Sequence, residues 1–184
     1  AELPATLVSA ASENPLLHEL GQICRPERLL EFVHDFMVFD AGIKKTCRHN
    51  QYFGVRAAQQ SALRREGGIL WHTQGSGKSF SMAFFAEKVR RTVEGNFTFV
   101  LMTDRDDLGS QIYKTFVGCG MVPPATPRAE SGEALRDLLK QNHRYVFSLI
   151  HKFNQDVAPD EPYSERDDII VISDEAHRTQ AGKF

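Results

Sequence analysis

A chain of 184 residues, 41% hydrophobic and 25% charged, has the composition of a globular domain with extensions and not of a disordered or fibrous protein. Its formal net charge of -2, without a long run of like charges, excludes a nucleic-acid partner held by bulk charge alone. Three scattered cysteines, Cys24, Cys47 and Cys119, exclude a disulfide framework, and no apolar run reaches the roughly 18 residues of a membrane span, so a soluble cytoplasmic protein is expected.

Residues 1–13 are small and polar and carry no periodic pattern. The stretches NPLLHELGQIC (14–24) and RPERLLEFVHDFMVF (25–39) read as two helices. Pro26 suits a first helical turn, and Leu29, Leu30, Val33 and Met37 share one face. A third helix is expected over 51–66, with Val55, Ala58, Ala62 and Leu63 on one side. From there the pattern alternates. GGILWHT (67–73) reads as a short apolar strand, and Lys78 to about Val93 as a helix with Met82, Phe85, Ala86, Val89 and Val93 at helical spacing. FTFVLMT (97–103) is a strand, and Leu108, Ile112 and Phe116 mark a helix. After the loop 118–130, Ser131 caps a helix carrying Ala134, Leu135, Leu138 and Leu139. RYVFSLI (144–150) and IIVIS (169–173) complete the strands. Apolar strands alternating with helices predict an α/β fold, a parallel sheet flanked by helices and preceded by a short helical segment.

In such a sheet, ligands bind at the carboxyl ends of the strands. HTQGSGKS (72–79) falls at that place, between an expected strand and the helix opening at Lys78. Gly75 and Gly77 let backbone N–H groups converge on an anion, and the helix N-terminus adds the positive end of its dipole. Lys78 can reach phosphate oxygens, and Ser79 can place its hydroxyl on a magnesium ion; Thr73 and Ser76 complete the candidate loop. The strict G-x-x-x-x-G-K-[ST] pattern is not met, because His72 stands where its first glycine belongs. A mere Gly-Ser connection between strand and helix is the alternative. Against it stands IIVISDEAHR (169–178), which puts Asp174 and Glu175 at the end of another strand. Asp174 can hold magnesium through its water shell, and Glu175 can act as a general base or orient water. Taken alone, this pair could equally be an N-cap with an acid in the first turn. Together the two motifs predict a site for a nucleotide and Mg2+.

Lys78-Ser79 followed by Asp174-Glu175-Ala176-His177 resembles the first two motifs of superfamily 2 helicases and translocases. RHNQYFGV, LWHTQGSGKS, VLMTDRDDLGSQI, SLIHKF and ISDEAHRTQ together resemble the motor part of the restriction subunit of type I restriction-modification enzymes, over residues 20–184. That resemblance implies a RecA-like first motor domain over 46–184 after a helical extension over 1–45. It also implies that the nucleotide is ATP, with ATP-driven translocation on double-stranded DNA and partnership with methyltransferase and specificity subunits. Gln51 matches the glutamine that reads the adenine edge. Thr103 or Arg105 falls in a segment near the DNA track, although Asp104, Asp106 and Asp107 suit a helix cap equally well. Ser148, His151 and Lys152 fall in the next such segment. A second RecA-like domain, an arginine finger and a nuclease centre are not legible, so weak turnover by the isolated chain is expected. Other superfamily 2 helicases acting on DNA or RNA are the alternative. A GTPase would show Asn-Lys-x-Asp and a transporter ATPase Leu-Ser-Gly-Gly-Gln, and neither occurs.

Overall fold

The computed structural model describes residues 14–123, 126, 128–153 and 162–174. The chain divides into two compact units, Ala1–Met37 and Val38–Phe184.

In the first unit, α1 (Pro15–Ile23) begins where the Asn14 side chain accepts from Leu16 N–H at 3.0 Å, with Pro15 in the first turn. α2 (Pro26–Asp35) likewise opens on a proline. Leu29, Leu30 and Val33, the face expected to be buried, are exposed. The helix expected to run on to residue 39 stops at Asp35. Residues Met37–Asp40 form a strand, β1, paired with β2 (Ile43–Thr46) through a two-residue turn with Ala41 at φ 48° and Gly42 at φ 82°. Asp-Ala-Gly is turn chemistry, with Gly42 supplying a left-handed residue without steric cost, and Val38 and Phe39 suit a strand. That local signal overrides the helical spacing of Met37.

The second unit is built on a three-stranded parallel sheet ordered β4-β3-β5. Its strands are β3 (Thr98–Thr103), β4 (Tyr145–Leu149) and β5 (Ile169–Ser173). Val100 is in register with Val146 on one side and Val171 on the other. Helices α3 (His49–Leu63) and α4 (Lys78–Thr92) precede β3, and α5 (Asp106–Gly118) and α6 (Gly132–Lys140) run between β3 and β4. The two-residue period of a strand divides the core. Phe99, Leu101, Tyr145 and Phe147 pack with Ala83, Ala86 and Val89 of α4 and Ile112 and Phe116 of α5. Val100 and Val146 pack on the opposite face with Leu135 and Leu139 of α6. Helices therefore cover both faces of the central strand, which explains why its sequence is continuously apolar.

Two charged groups are built into this frame. Glu87 of α4 is buried and receives Arg90 through two bonds of 3.0 and 2.8 Å and the Tyr145 hydroxyl at 3.3 Å. Arg166 donates to Gln141 O at 2.7 Å and to Thr98 Oγ1 at 2.9 Å, satisfying a carbonyl beyond the end of α6.

The strand expected over 67–73 does not form. These residues are extended but outside any ladder, with Ile69 92% and Trp71 86% exposed. The side chains are those of a strand, yet a strand exists only by pairing its N–H and C=O groups, and no described strand pairs with this segment. The stretch instead runs across α3 at Gly54. A Cβ added at Gly54 would stand 2.7 Å from Leu70 Cδ1 and 3.2 Å from His72 Nε2.

Candidate functional site

The loop 72–77 turns the extended segment into α4. Ser76 N donates to Thr73 O at 3.3 Å, Gly75 stands at φ 76° and Gly77, the N-cap of α4, at φ 85°. Both glycines are in the left-handed region, where a Cβ is costly. Gly75 is open around its Cα, whereas a Cβ at Gly77 would meet Gln51 Nε2 at 2.9 Å.

Gln51 is buried in the first turn of α3 and its carboxamide is used twice. Oε1 accepts from Arg48 N at 2.7 Å, closing the start of its own helix, and Nε2 donates to Gly77 O at 2.8 Å. Arg48 reaches the same loop, donating from Nη1 to Gly75 O at 3.1 Å. The structure thus brings together Arg48 with Gly75, 27 residues apart, and Gln51 with Gly77, 26 apart, which spacing alone does not reveal. A cleft of about 390 Å³ opens here, lined by Arg48, Asn50, Trp71, His72, Thr73 and neighbouring loop residues.

His72 lines the cleft. Its Nδ1 lies 3.4 Å from Ser81 Oγ. Burial, and then the nearby Lys78 ammonium, hold the imidazole below its ordinary value. Lys78 and Ser79 occupy the first turn of α4, both half-buried. Asp174 follows β5 directly, and its N–H extends the ladder to Met102 O at 2.9 Å, so it stands at the carboxyl end of the sheet. Glu175 and His177 lie outside the described residues.

The loop fits a phosphate chain. Two left-handed glycines leave its backbone uncovered, a helix of 15 residues begins behind it, and Ser76 Oγ is buried without a hydrogen-bond partner among the described residues. An orphaned hydroxyl in such a place is an exception to the rule that buried polar groups are paired, and an incoming anion would satisfy it.

Of the residues expected near DNA, Thr103 is 2% exposed, and its hydroxyl donates to Arg105 O at 3.3 Å, so it supports the start of α5. Arg105 is the N-cap of that helix and pairs with Asp107 at 3.3 Å. Ser148 is buried, and His151 is exposed. Sequence reasoning missed Gly54 and Ser81. A glycine inside a helix costs about 1 kcal/mol against alanine, and that cost was the available signal of a close approach at Gly54. A serine on a helix face gives none. Among the described residues no group of three His, Cys, Asp or Glu side chains could hold a metal ion. No described helix is long and apolar enough to cross a membrane.

A family model described as SWI2/SNF2 ATPase matches residues 50–184. The chain belongs to the SWI2/SNF2 ATPase family. This SWI2/SNF2 chain is 39% identical over 181 residues to the type I restriction enzyme HindI endonuclease subunit of Haemophilus influenzae, a match covering 89% of this chain and 17% of that protein. To a type I restriction enzyme MjaIXP endonuclease subunit of Methanocaldococcus jannaschii it is 35% identical over 173 residues, 86% of this chain and 16% of that protein. These are the relatives that the motif spellings resemble. The SWI2/SNF2 chain therefore corresponds to less than a fifth of the length of such subunits, and its α/β sheet is that of a helicase-like ATPase domain.

Proposed function

We propose that this chain is the ATP-binding part of a motor that moves on double-stranded DNA within a type I restriction enzyme, in the cytoplasm and in company with methyltransferase and specificity subunits. The observation that carries the reading is the cradle at the start of α4: left-handed Gly75 and Gly77 around a buried Ser76 hydroxyl without a partner among the described residues. In this reading residues 46–184 are the first RecA-like motor domain and residues 1–45 its helical extension.

Thr73, Gly75, Ser76 and Gly77 would present backbone and hydroxyl donors to a phosphate chain, with the dipole of α4 favouring its charge. Lys78 would place its ammonium on the terminal phosphate oxygens. Ser79 and Asp174 would hold Mg2+, Asp174 through the ion's waters. The carboxylate of Glu175 would accept a proton from the attacking water. Gln51 keeps one N–H and one lone pair beyond the two bonds it makes, the donor and acceptor that an adenine edge requires. Bound Mg-ATP would supply the phosphoanhydride whose cleavage drives movement.

The test is ATP hydrolysis by the full-length subunit assembled with its partners, with duplex DNA, single-stranded DNA or RNA added separately and Lys78→Ala as control. Stimulation by duplex DNA, lost in Lys78→Ala, is expected. Stimulation by RNA or single strands alone would transfer the reading to a strand-separating helicase. Absence of ATP hydrolysis under every condition would refute the motor.

A further inference from the structure

His72 is the residue at which the loop departs from the strict phosphate-loop pattern, and its surroundings give it a task. Its ring is wedged between two helices. On one side Nε2 stands 3.2 Å from the place a Cβ would occupy on Gly54 of α3. On the other, Nδ1 lies 3.4 Å from the hydroxyl of Ser81, a residue 4% exposed in the second turn of α4. Ser81 Oγ donates to Gly77 O at 3.4 Å, and Ser81 N to the same carbonyl at 3.1 Å. With its proton directed at Gly77 O, the Ser81 oxygen accepts from Nδ1–H of the imidazole. The chain of contacts His72–Ser81–Gly77 thus reaches the carbonyl that Gln51 Nε2 holds from the opposite helix at 2.8 Å.

The charges around the ring are few. Lys78 acts from α4, and Arg48 lines the same cleft from the N-cap of α3. The parts of α3 and α4 that meet the ring, Gly54 and Ser81, are uncharged. In the free loop, burial and then the Lys78 cation both disfavour the charged imidazole. A phosphate chain lying on Lys78 removes the electrostatic part, because even with its magnesium ion a nucleoside diphosphate brings about one net negative charge against the one cation it meets. Protonation adds its hydrogen at Nε2 and leaves Nδ1–H on Ser81, so the ring can charge without letting go of the loop.

Resting on the nucleotide reading above, we propose that His72 is a positioning residue of the phosphate loop, acting through Ser81 on the Gly77 carbonyl, and that it takes up a proton when a nucleoside di- or triphosphate binds. The sign follows directly. Binding raises the imidazole's proton affinity, so phosphate binding is strengthened at low pH, and that gain is lost as pH rises through the value of the bound state. The slope attributable to His72 can reach about tenfold in affinity per pH unit and no more, since one proton is involved.

The experiment measures the affinity of the chain for Mg-ADP from about pH 5.5 to about pH 8, either side of the ordinary imidazole range. It compares the native protein with His72→Asn, which keeps a hydrogen-bonding atom near the Nδ1 position, and with His72→Ala. The nucleotide's own titration is common to all three and cancels in the ratios. Expected is a native affinity that falls more steeply with pH than that of His72→Asn, the two converging near pH 8, with His72→Ala weaker throughout. In parallel, the His72 imidazole resonance, assigned by its loss in His72→Asn, should titrate at higher pH once Mg-ADP is present. Equal pH slopes for native and His72→Asn, or an imidazole indifferent to nucleotide, would overturn the inference while leaving the nucleotide site standing. No binding of Mg-ADP by the native protein at any pH would overturn both.

Discussion

Gly77→Ala and Gly75→Ala make a matched pair, because the two positions share a backbone conformation and differ in what surrounds them. At φ 76° and 85° both substitutions place a side chain in the left-handed region, costing about 1 kcal/mol each. Gly75 is open, so nothing more is added. At Gly77 the new methyl would meet Gln51 Nε2 at 2.9 Å, and the amide it must displace makes the 2.8 Å bond to Gly77 O. Losing that bond adds about 1 kcal/mol. Urea unfolding followed by far-ultraviolet circular dichroism should therefore show a midpoint drop of about 0.5 M for Gly75→Ala and about 1 M for Gly77→Ala, for a slope of about 2 kcal/mol/M. In a Gln51→Ala background the obstacle is gone, and the two glycine substitutions should cost the same, a coupling of about 1 kcal/mol between positions 51 and 77. Equal costs in the native background, or strict additivity with Gln51→Ala, would refute the claim that Gln51 holds the loop.

Two further outcomes follow from the charged and thiol groups near the sheet. Burial alone would raise the Glu87 carboxyl, but the Arg90 hydrogen bonds, the Arg90 and Arg91 charges and the Tyr145 hydroxyl outweigh it and hold it below 4.5. Its stabilisation is then complete above that value and disappears as pH falls through the lower folded one, so unfolding midpoints at about pH 6 and about pH 3.5 should differ less in Glu87→Gln than in the native protein; an identical difference would refute the assignment. The Cys119 thiol is pushed up to about 11, first by burial and then by Asp40 and Glu87, whereas Cys24 is exposed. Iodoacetamide at about pH 8 should label Cys24 and spare Cys119, since only the thiolate reacts; mass spectrometry showing equal labelling would contradict this.

Much of the sheet was legible because its signals are local. The apolar runs expected as strands at 97–103, 144–150 and 169–173 contain β3, β4 and β5, and Ser131 caps α6 through a 3.1 Å bond from Ala134 N. What failed was what depends on neighbours. Residues 67–73 have the side chains of a strand but no paired strand, and Met37 kept helical spacing where the Asp40-Ala41-Gly42 turn imposed a hairpin. At the candidate site, the glycines, Lys78 and Ser79 announce themselves as a motif. The joining of Gln51 and Arg48 to the Gly77 and Gly75 carbonyls is a product of how α3 meets the loop, and residue types alone do not contain it.

Trp71 is the only tryptophan in the sequence, and it stands 86% exposed on the lip of the cleft and not in the core, which is filled by phenylalanine, tyrosine and aliphatic side chains. The protein's indole emission is consequently that of a solvated ring from the outset. Global unfolding will barely shift its wavelength, so a fluorescence melt would miss a transition that circular dichroism records in full. Conversely, a blue shift at constant fold reports that the indole has left water, as when a ligand comes to lie against the cleft, which makes the native emission a label-free probe of that one place.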